Sequence, residues 1–179
     1  PPIYAPVFEA TGALVLIDSS KRPEWLETRM AARRDWRSVV PRVLFVTRDG
    51  RGTVNSLARR RPETPFEDHV RKWLADTRRA EAVFDRVAPE HRHRLAYEDM
   101  AADPETTSAR LCAFLGLAPE PGMGAYWTHA HHVMRGNLGT LSLITGRSVQ
   151  APGRGGFYAG LGRDVSPDDT WRAEMGDED

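Results

Sequence analysis

Two short, unbroken apolar runs constrain this 179-residue chain more than anything else in it: Ala13-Leu14-Val15-Leu16-Ile17 and Val43-Leu44-Phe45-Val46-Thr47. Four to eight apolar residues closed by polar or turn residues have the form of strands buried on both faces, as in a parallel sheet. Between the runs, Pro23 sits where a first helical turn tolerates proline, and Glu24 to Arg34 is rich in helix formers. Strand, helix and strand in this order predict a βαβ unit.

The pattern continues downstream. Gly52 to Arg61 reads as a short helix closed by Pro62 and Pro65. Phe66, Val70, Trp73, Leu74, Thr77, Ala80, Phe84 and Val87 then recur at steps of three and four, which predicts a long amphipathic helix running toward Pro89. His93 to Tyr97 is a weaker strand candidate ending in Glu98-Asp99. Asp103-Pro104 has the form of a helix start and Gly116 that of its end. Beyond Pro119 the periodicity weakens: Tyr126-Trp127 begins a short helix, residues 146–162 are glycine-rich, and Asp168 to Met175 forms a last helical turn. With no internal repeat and no second core, residues 1–179 read as a single α/β domain. Its core spans about 13–140 and its loop-rich C-terminal segment 141–179.

Composition removes several classes. Cys112 is the single cysteine, so no disulfide framework exists within the chain. Lys plus Arg and Asp plus Glu both number 25, so no whole-chain charge draws it to nucleic acid or an anionic membrane. No apolar run approaches the roughly 18–20 residues of a membrane span, and Pro1-Pro2-Ile3-Tyr4 lacks the form of a signal peptide. The expectation is a soluble, cytoplasmic protein. A start without Met, so close to an apolar strand, is read as the mark of a missing upstream part.

In open parallel sheets ligands gather outside the carboxyl ends of the strands. Asp18-Ser19-Ser20-Lys21, Arg48-Asp49-Gly50-Arg51 and Tyr97-Glu98-Asp99 reach that edge. Arg48 closes a strand, Gly50 and Gly52 let the chain turn, and Ser56 follows eight residues on. An Arg fork, a hydroxyl and a helix N-terminus together form a phosphate site. The same residues fit a solvated turn followed by an ordinary helix serine equally well.

The segment Thr47-Arg48-Asp49-Gly50-Arg51-Gly52-Thr53-Val54-Asn55-Ser56 resembles the 3′-phosphate motif of sulfotransferases that use 3′-phosphoadenosine 5′-phosphosulfate (PAPS), with Gly52 in place of the usual second Asp. Leu95 to Met100, with Asp103-Pro104 and Phe114-Leu115-Gly116-Leu117, is similar to that family's Tyr-Glu-Asp segment and the helix after it. Val133-Met134-Arg135-Gly136-Asn137 resembles its late phosphate-covering loop, and Ile17 to Pro23 the segment that bacterial and carbohydrate-type members place beside the reacting hydroxyl. The resemblance implies a three-layer parallel sheet flanked by helices, of the P-loop-NTPase-like sulfotransferase type. It also implies sulfuryl transfer from PAPS to a hydroxyl of a small-molecule or carbohydrate acceptor.

On this reading Arg48 and Ser56 hold the 3′-phosphate, Tyr97 contacts the adenine, and Arg135 with the Gly136 amide closes over the phosphate. Asp18 is the candidate general base, with partial burial raising its pKa toward neutrality, and Lys21 the cation for the sulfuryl oxygens or leaving phosphate. The plainer alternative has Asp18 capping the next turn and Lys21 in solvent. PAPS enters as co-substrate, and neither a metal nor a nucleic-acid partner is expected.

One departure stands out: nothing in the sequence matches the family's 5′-phosphosulfate loop, nor a Walker-type loop. The chain therefore reads as an N-terminally truncated member, and a sheet lacking an interior strand is expected to be poorly stable. Two alternatives are a P-loop nucleotide kinase or NTPase fragment, with Leu14 to Asp18 as a magnesium-holding strand, and a non-catalytic nucleotide-binding remnant.

Other signals have plainer readings. His129, His131 and His132 lack the four-ligand pattern of a structural metal site. His69 reads as an exposed helix residue and Cys112 as core. Arg59-Arg60-Arg61 is a solvated helix end, where cations are favoured in any case.

Overall fold

The computed structural model describes residues 4–19, 22–32, 40–130 and 167–175. In chain order the elements are α1 (Tyr4–Thr11), α2 (Pro23–Ala31), β1 (Val43–Thr47), α3 (Gly50–Arg60), α4 (Phe66–Phe84), β2 (Arg92–Ala96), α5 (Tyr97–Ala102), α6 (Pro104–Leu115) and α7 (Thr170–Glu174). Short 3₁₀ turns at Pro89–His91 and Met123–Thr128 complete them. They fall into two compact units, Pro1–Ala96 with Asp168–Asp179, and Tyr97–Pro167. Among the described residues, no helix is long and apolar enough to cross a membrane.

In the first unit β1 and β2 pair in parallel, from Val43 opposite Arg92 to Thr47 opposite Ala96. Parallel neighbours need a long crossover, and α3 with α4 supplies it. The expected mixed α/β fold with parallel strands is therefore present. The βαβ unit is one element later than the sequence pattern placed it. The apolar stripe of α4 brings Val83 and Phe84 into a core with Val54 of α3, Val87, and Leu95 of β2. The Phe45 ring of β1 meets Phe84 at 5.4 Å between centroids. α4 stops at Phe84, ahead of Pro89, with Asp85 as its C-cap.

Residues 13–17 depart most from expectation. They form no strand, and Leu14 and Ile17 are 97% and 84% exposed. An apolar run becomes a strand only where a neighbouring backbone takes its N–H and C=O groups, and none of the described residues does so. β1 likewise is not buried on both faces. Leu44 and Val46 are exposed while Phe45 packs inward, which is the alternation of a strand covered on one side. The first twelve residues carry a helix that the pattern did not announce, α1, which ends at Gly12 in the left-handed region (φ 64°).

The second unit follows its local signals closely. Asp103 caps α6 by accepting from the Thr106 amide at 3.0 Å, Pro104 occupies the first turn, and Gly116 (φ 73°) closes the helix. The Gly116 amide donates to Ala113 O and the Leu117 amide to Cys112 O, which makes the end a Schellman motif. Thr107 is buried and its hydroxyl donates to Asp99 O at 3.2 Å, tying α6 to α5. Cys112 is buried, as expected of a core residue. Tyr97 is the first residue of α5 rather than the last of a strand.

Candidate functional site

The carboxyl end of β1 runs straight into α3, and the residues at this junction organise the site. The helix starts at Gly50, two residues earlier than the sequence pattern placed it, because Asp49 caps it. The Asp49 carboxylate accepts from the Arg51 amide at 2.9 Å, and its two oxygens accept from the Arg51 guanidinium at 3.0 and 2.7 Å. Those bonds, the guanidinium ones first, hold the Asp49 carboxyl below the usual carboxylate range. The first turn of α3 thus carries an anion of its own.

Both glycines at the junction are there for close approach. A β-carbon at Gly50 would lie 2.6 and 2.7 Å from Cζ2 and Cζ3 of Trp73. One at Gly52 would lie 3.1 Å from Nη2 of Arg48 and 3.2 Å from Cδ1 of Trp171. The guanidinium of Arg48 therefore lies against the bare backbone of Gly52, a position where the related motif carries Asp.

Gly52 and Ser56 are four residues apart and so share one face of α3. The Arg48 guanidinium thus lies against the face of α3 at Gly52, and Ser56, the other expected 3′-phosphate residue, follows one turn on along that face. Asn55 and Arg59 continue that face at the spacing of a helical stripe.

This face is covered from within the chain. The α7 segment packs on α3 through three anchors. Asp168 Oδ2 accepts from Arg48 Nη2 at 2.7 Å, with both side chains partly exposed. Glu174 accepts from Asn55 at 2.7 Å and from Arg59 at 3.3 Å. Between them Trp171 is buried, with the Arg51 guanidinium 4.0 Å from its ring centroid. The Thr170 hydroxyl and amide donate to Asp168 Oδ1, and with Arg48 they hold that carboxyl below its ordinary range, the Thr170 hydroxyl contributing most. Sequence pattern predicted the α7 turn itself but not its place, because 120 residues separate Asp168 from Arg48.

Asp18 sits in a second cluster of the same unit. Its Oδ2 accepts from the Tyr4 hydroxyl at 2.6 Å and from Trp25 Nε1 at 2.7 Å. The residue is exposed, so the expected partial burial is absent. Tyr4 is the buried partner: burial first, then its bond to Asp18, pushes the phenol up to about 12. Arg29, buried on α2, lies 4.3 Å from the Trp25 ring centroid. Tyr4 and Trp25 were not singled out in the sequence, although an aromatic on each side of the Asp18 segment was visible there.

The remaining expected residues divide plainly. Tyr97, partly buried at the start of α5, belongs to the second unit. Lys21, Arg135 and Gly136 lie outside the described residues, as do His131 and His132. Among the described residues no group of three or more His, Cys, Asp and Glu is arranged to hold a metal ion. His69 is buried rather than exposed and meets Arg61 O at 3.3 Å, which ties α4 to the end of α3.

Comparison with known proteins agrees with this layout. Residues 31–121, just over half of the chain, match the profile of the Sulfotransferase family. A solved structure of a sulfotransferase domain from the curacin biosynthetic pathway superposes with a TM-score of 0.56 at 23% identity, over 66% of this chain and 44% of that one. At that identity the likeness speaks to the fold, and this chain spans less than half of that structure's length. No curated protein sequence matches the chain. The β1–α3 junction, its Arg48 and Ser56, and the α4–β2 return all lie inside the matched region, and by that match the chain belongs to the Sulfotransferase family.

Proposed function

We propose that this chain carries the 3′-phosphate half of a PAPS site and serves sulfuryl transfer to a hydroxyl of a small-molecule or carbohydrate acceptor. The observation that carries the reading is the Arg48 guanidinium laid on Gly52, one helical turn before Ser56 on the same face of α3. A planar guanidinium fork beside a hydroxyl suits a dianionic phosphate. The absence of a β-carbon at Gly52 leaves room for the fork to lie flat. None of the 179 residues matches the loop for the 5′-phosphosulfate, so apart from Lys21 the donor contacts assigned to this chain are those of the 3′ half.

In the reaction the acceptor oxygen bonds to sulfur as the bond from sulfur to the bridging phosphate oxygen breaks. The electron pair leaves with adenosine 3′,5′-bisphosphate. The hydroxyl proton passes to Asp18, whose carboxylate Tyr4 and Trp25 orient through Oδ2. Transfers of this kind draw most of their acceleration from alignment and fixed charge, so the placement of the carboxylate is what matters most. Lys21, three residues on, is assigned to the leaving phosphate or the sulfuryl oxygens.

Calorimetric titration with adenosine 3′,5′-bisphosphate, with AMP as the control lacking a 3′-phosphate, tests the half-site. A hydrogen bond to a charged group contributes about 1.5–3 kcal/mol, so Arg48→Ala is expected to weaken binding at least about tenfold and to leave AMP unaffected. Equal affinity of the two proteins for the bisphosphate removes Arg48 from the site. Asp18→Asn should leave bisphosphate affinity intact, and transfer from PAPS that survives it removes Asp18 as base.

A further inference from the structure

The face of α3 that carries Gly52 and Ser56, and against which Arg48 lies, is the face on which α7 docks. Asp168 presents a carboxylate to Arg48, and Glu174 presents one to Asn55 and Arg59. Trp171 closes the gap between them over Arg51 and Gly52. An acid on Arg48 is the protein's own counterpart of a phosphate oxygen: an anionic oxygen at 2.7 Å from the guanidinium nitrogen. Thr170 fixes the other carboxylate oxygen, so the acid is held in place rather than swinging in solvent.

We propose that residues 168–174 are an autoinhibitory strap, with Asp168 as the internal occupant of Arg48 that a 3′-phosphate must displace. This rests on the assignment of Arg48 to the 3′-phosphate. The strap is built to exchange. Its grip is one buried indole, a hydrogen bond from the buried Asn55 to Glu174, and two partly exposed ion pairs, at Arg48 and at Arg59; the pair at Arg48, which the phosphate must replace, is of the individually weak kind. A dianion offers Arg48 more charge than a carboxylate does, and it offers the Ser56 hydroxyl a further acceptor. Bound donor and docked strap are therefore mutually exclusive states of one surface, and each competes with the other.

The test titrates the full chain with adenosine 3′,5′-bisphosphate and with AMP, using wild type, Asp168→Asn, Asp169→Asn and Arg48→Ala. Asp169 pairs with Arg172 rather than Arg48 and controls for overall charge. Asp168→Asn is expected to bind the bisphosphate about fivefold more tightly, which corresponds to about 1 kcal/mol. Asp169→Asn should stay within about twofold of wild type, and AMP should not discriminate among the variants. Glu174→Gln, which loosens the far anchor without touching Arg48, should tighten binding in the same direction.

Amide exchange of residues 171–175 should speed up when the bisphosphate binds. Binding that depends on Arg48 and the 3′-phosphate, yet is unchanged or weakened by Asp168→Asn, overturns the strap and leaves the half-site standing. An equal gain from Asp169→Asn also overturns it, as a general charge effect. If neither wild type nor Asp168→Asn distinguishes the bisphosphate from AMP, the half-site and the strap fail together.

Discussion

Gly50 offers a sharp test of the junction that positions Arg48. It is the first residue of α3, and its φ is not in the left-handed region, so its backbone conformation alone would admit alanine. By helix propensity Gly50→Ala would then stabilise the protein by up to about 1 kcal/mol. Packing predicts the opposite. The new β-carbon would sit 2.6 and 2.7 Å from two ring carbons of Trp73, about 1 Å inside the 3.5–4.0 Å at which carbon atoms pack. A rigid indole on α4 cannot yield without shifting its helix or turning off its rotamer, and overpacking of this kind costs about 1–3 kcal/mol. The net expectation is a loss of about 1 kcal/mol, or about 2–4 °C in Tm for a chain of this size. Thermal unfolding of Gly50→Ala, Trp73→Leu and the double variant closes the cycle. With leucine at 73 the alanine should become neutral or mildly stabilising. A Tm unchanged or raised by Gly50→Ala with Trp73 in place would refute the close-approach argument. So would an equal loss in both backgrounds.

Three further outcomes follow from other parts of the chain. Leu14→Ser should change stability by no more than about 0.5 kcal/mol, as at an exposed site, whereas a strand buried on both faces would lose about 2–5 kcal/mol; urea unfolding decides between them. Tyr4 should titrate near 12, above the usual tyrosine value of about 10. Its folded value is raised, so its contribution to stability is complete below pH 10 and is lost as pH rises from about 10 to about 12; tyrosinate absorbance compared between wild type and Tyr4→Phe reports it, and a Tyr4 transition at about 10 would count against the Tyr4–Asp18 bond. Asp103→Ala removes the cap from the Thr106 amide and should cost about 1 kcal/mol, visible as faster amide exchange in the first turn of α6, with no change there meaning that the cap is idle.

The elements that the sequence announced are those whose signals are local. β1 is a five-residue apolar run closed by Arg48-Asp49-Gly50, and it lies where the run placed it. α4 follows from its three-and-four periodicity, and α6 from Asp103, Pro104 and Gly116, because capping bonds reach only a few residues along the chain. That Arg48 follows the strand and Ser56 lies on the helix it leads into was likewise legible, because both positions are set by the local strand-to-helix junction.

What tertiary structure alone decided is everything that depends on a partner distant in sequence. Residues 13–17 have the composition of a strand, but strand formation belongs to a pair of backbones, and the described residues provide no second one. Gly50 and Gly52 look like turn residues in the sequence and prove to be places where Trp73, Arg48 and Trp171 press against the helix. Tyr4 and Trp25 acquire meaning only when two separate segments bring their donors to one oxygen of Asp18. Asp168 reads as one more acid near an acidic end until the fold sets it on Arg48. Periodicity and caps record the short-range part of the free energy, which the sequence carries in plain order. Charge pairing and close packing are long-range, and they exist only once the chain has returned on itself.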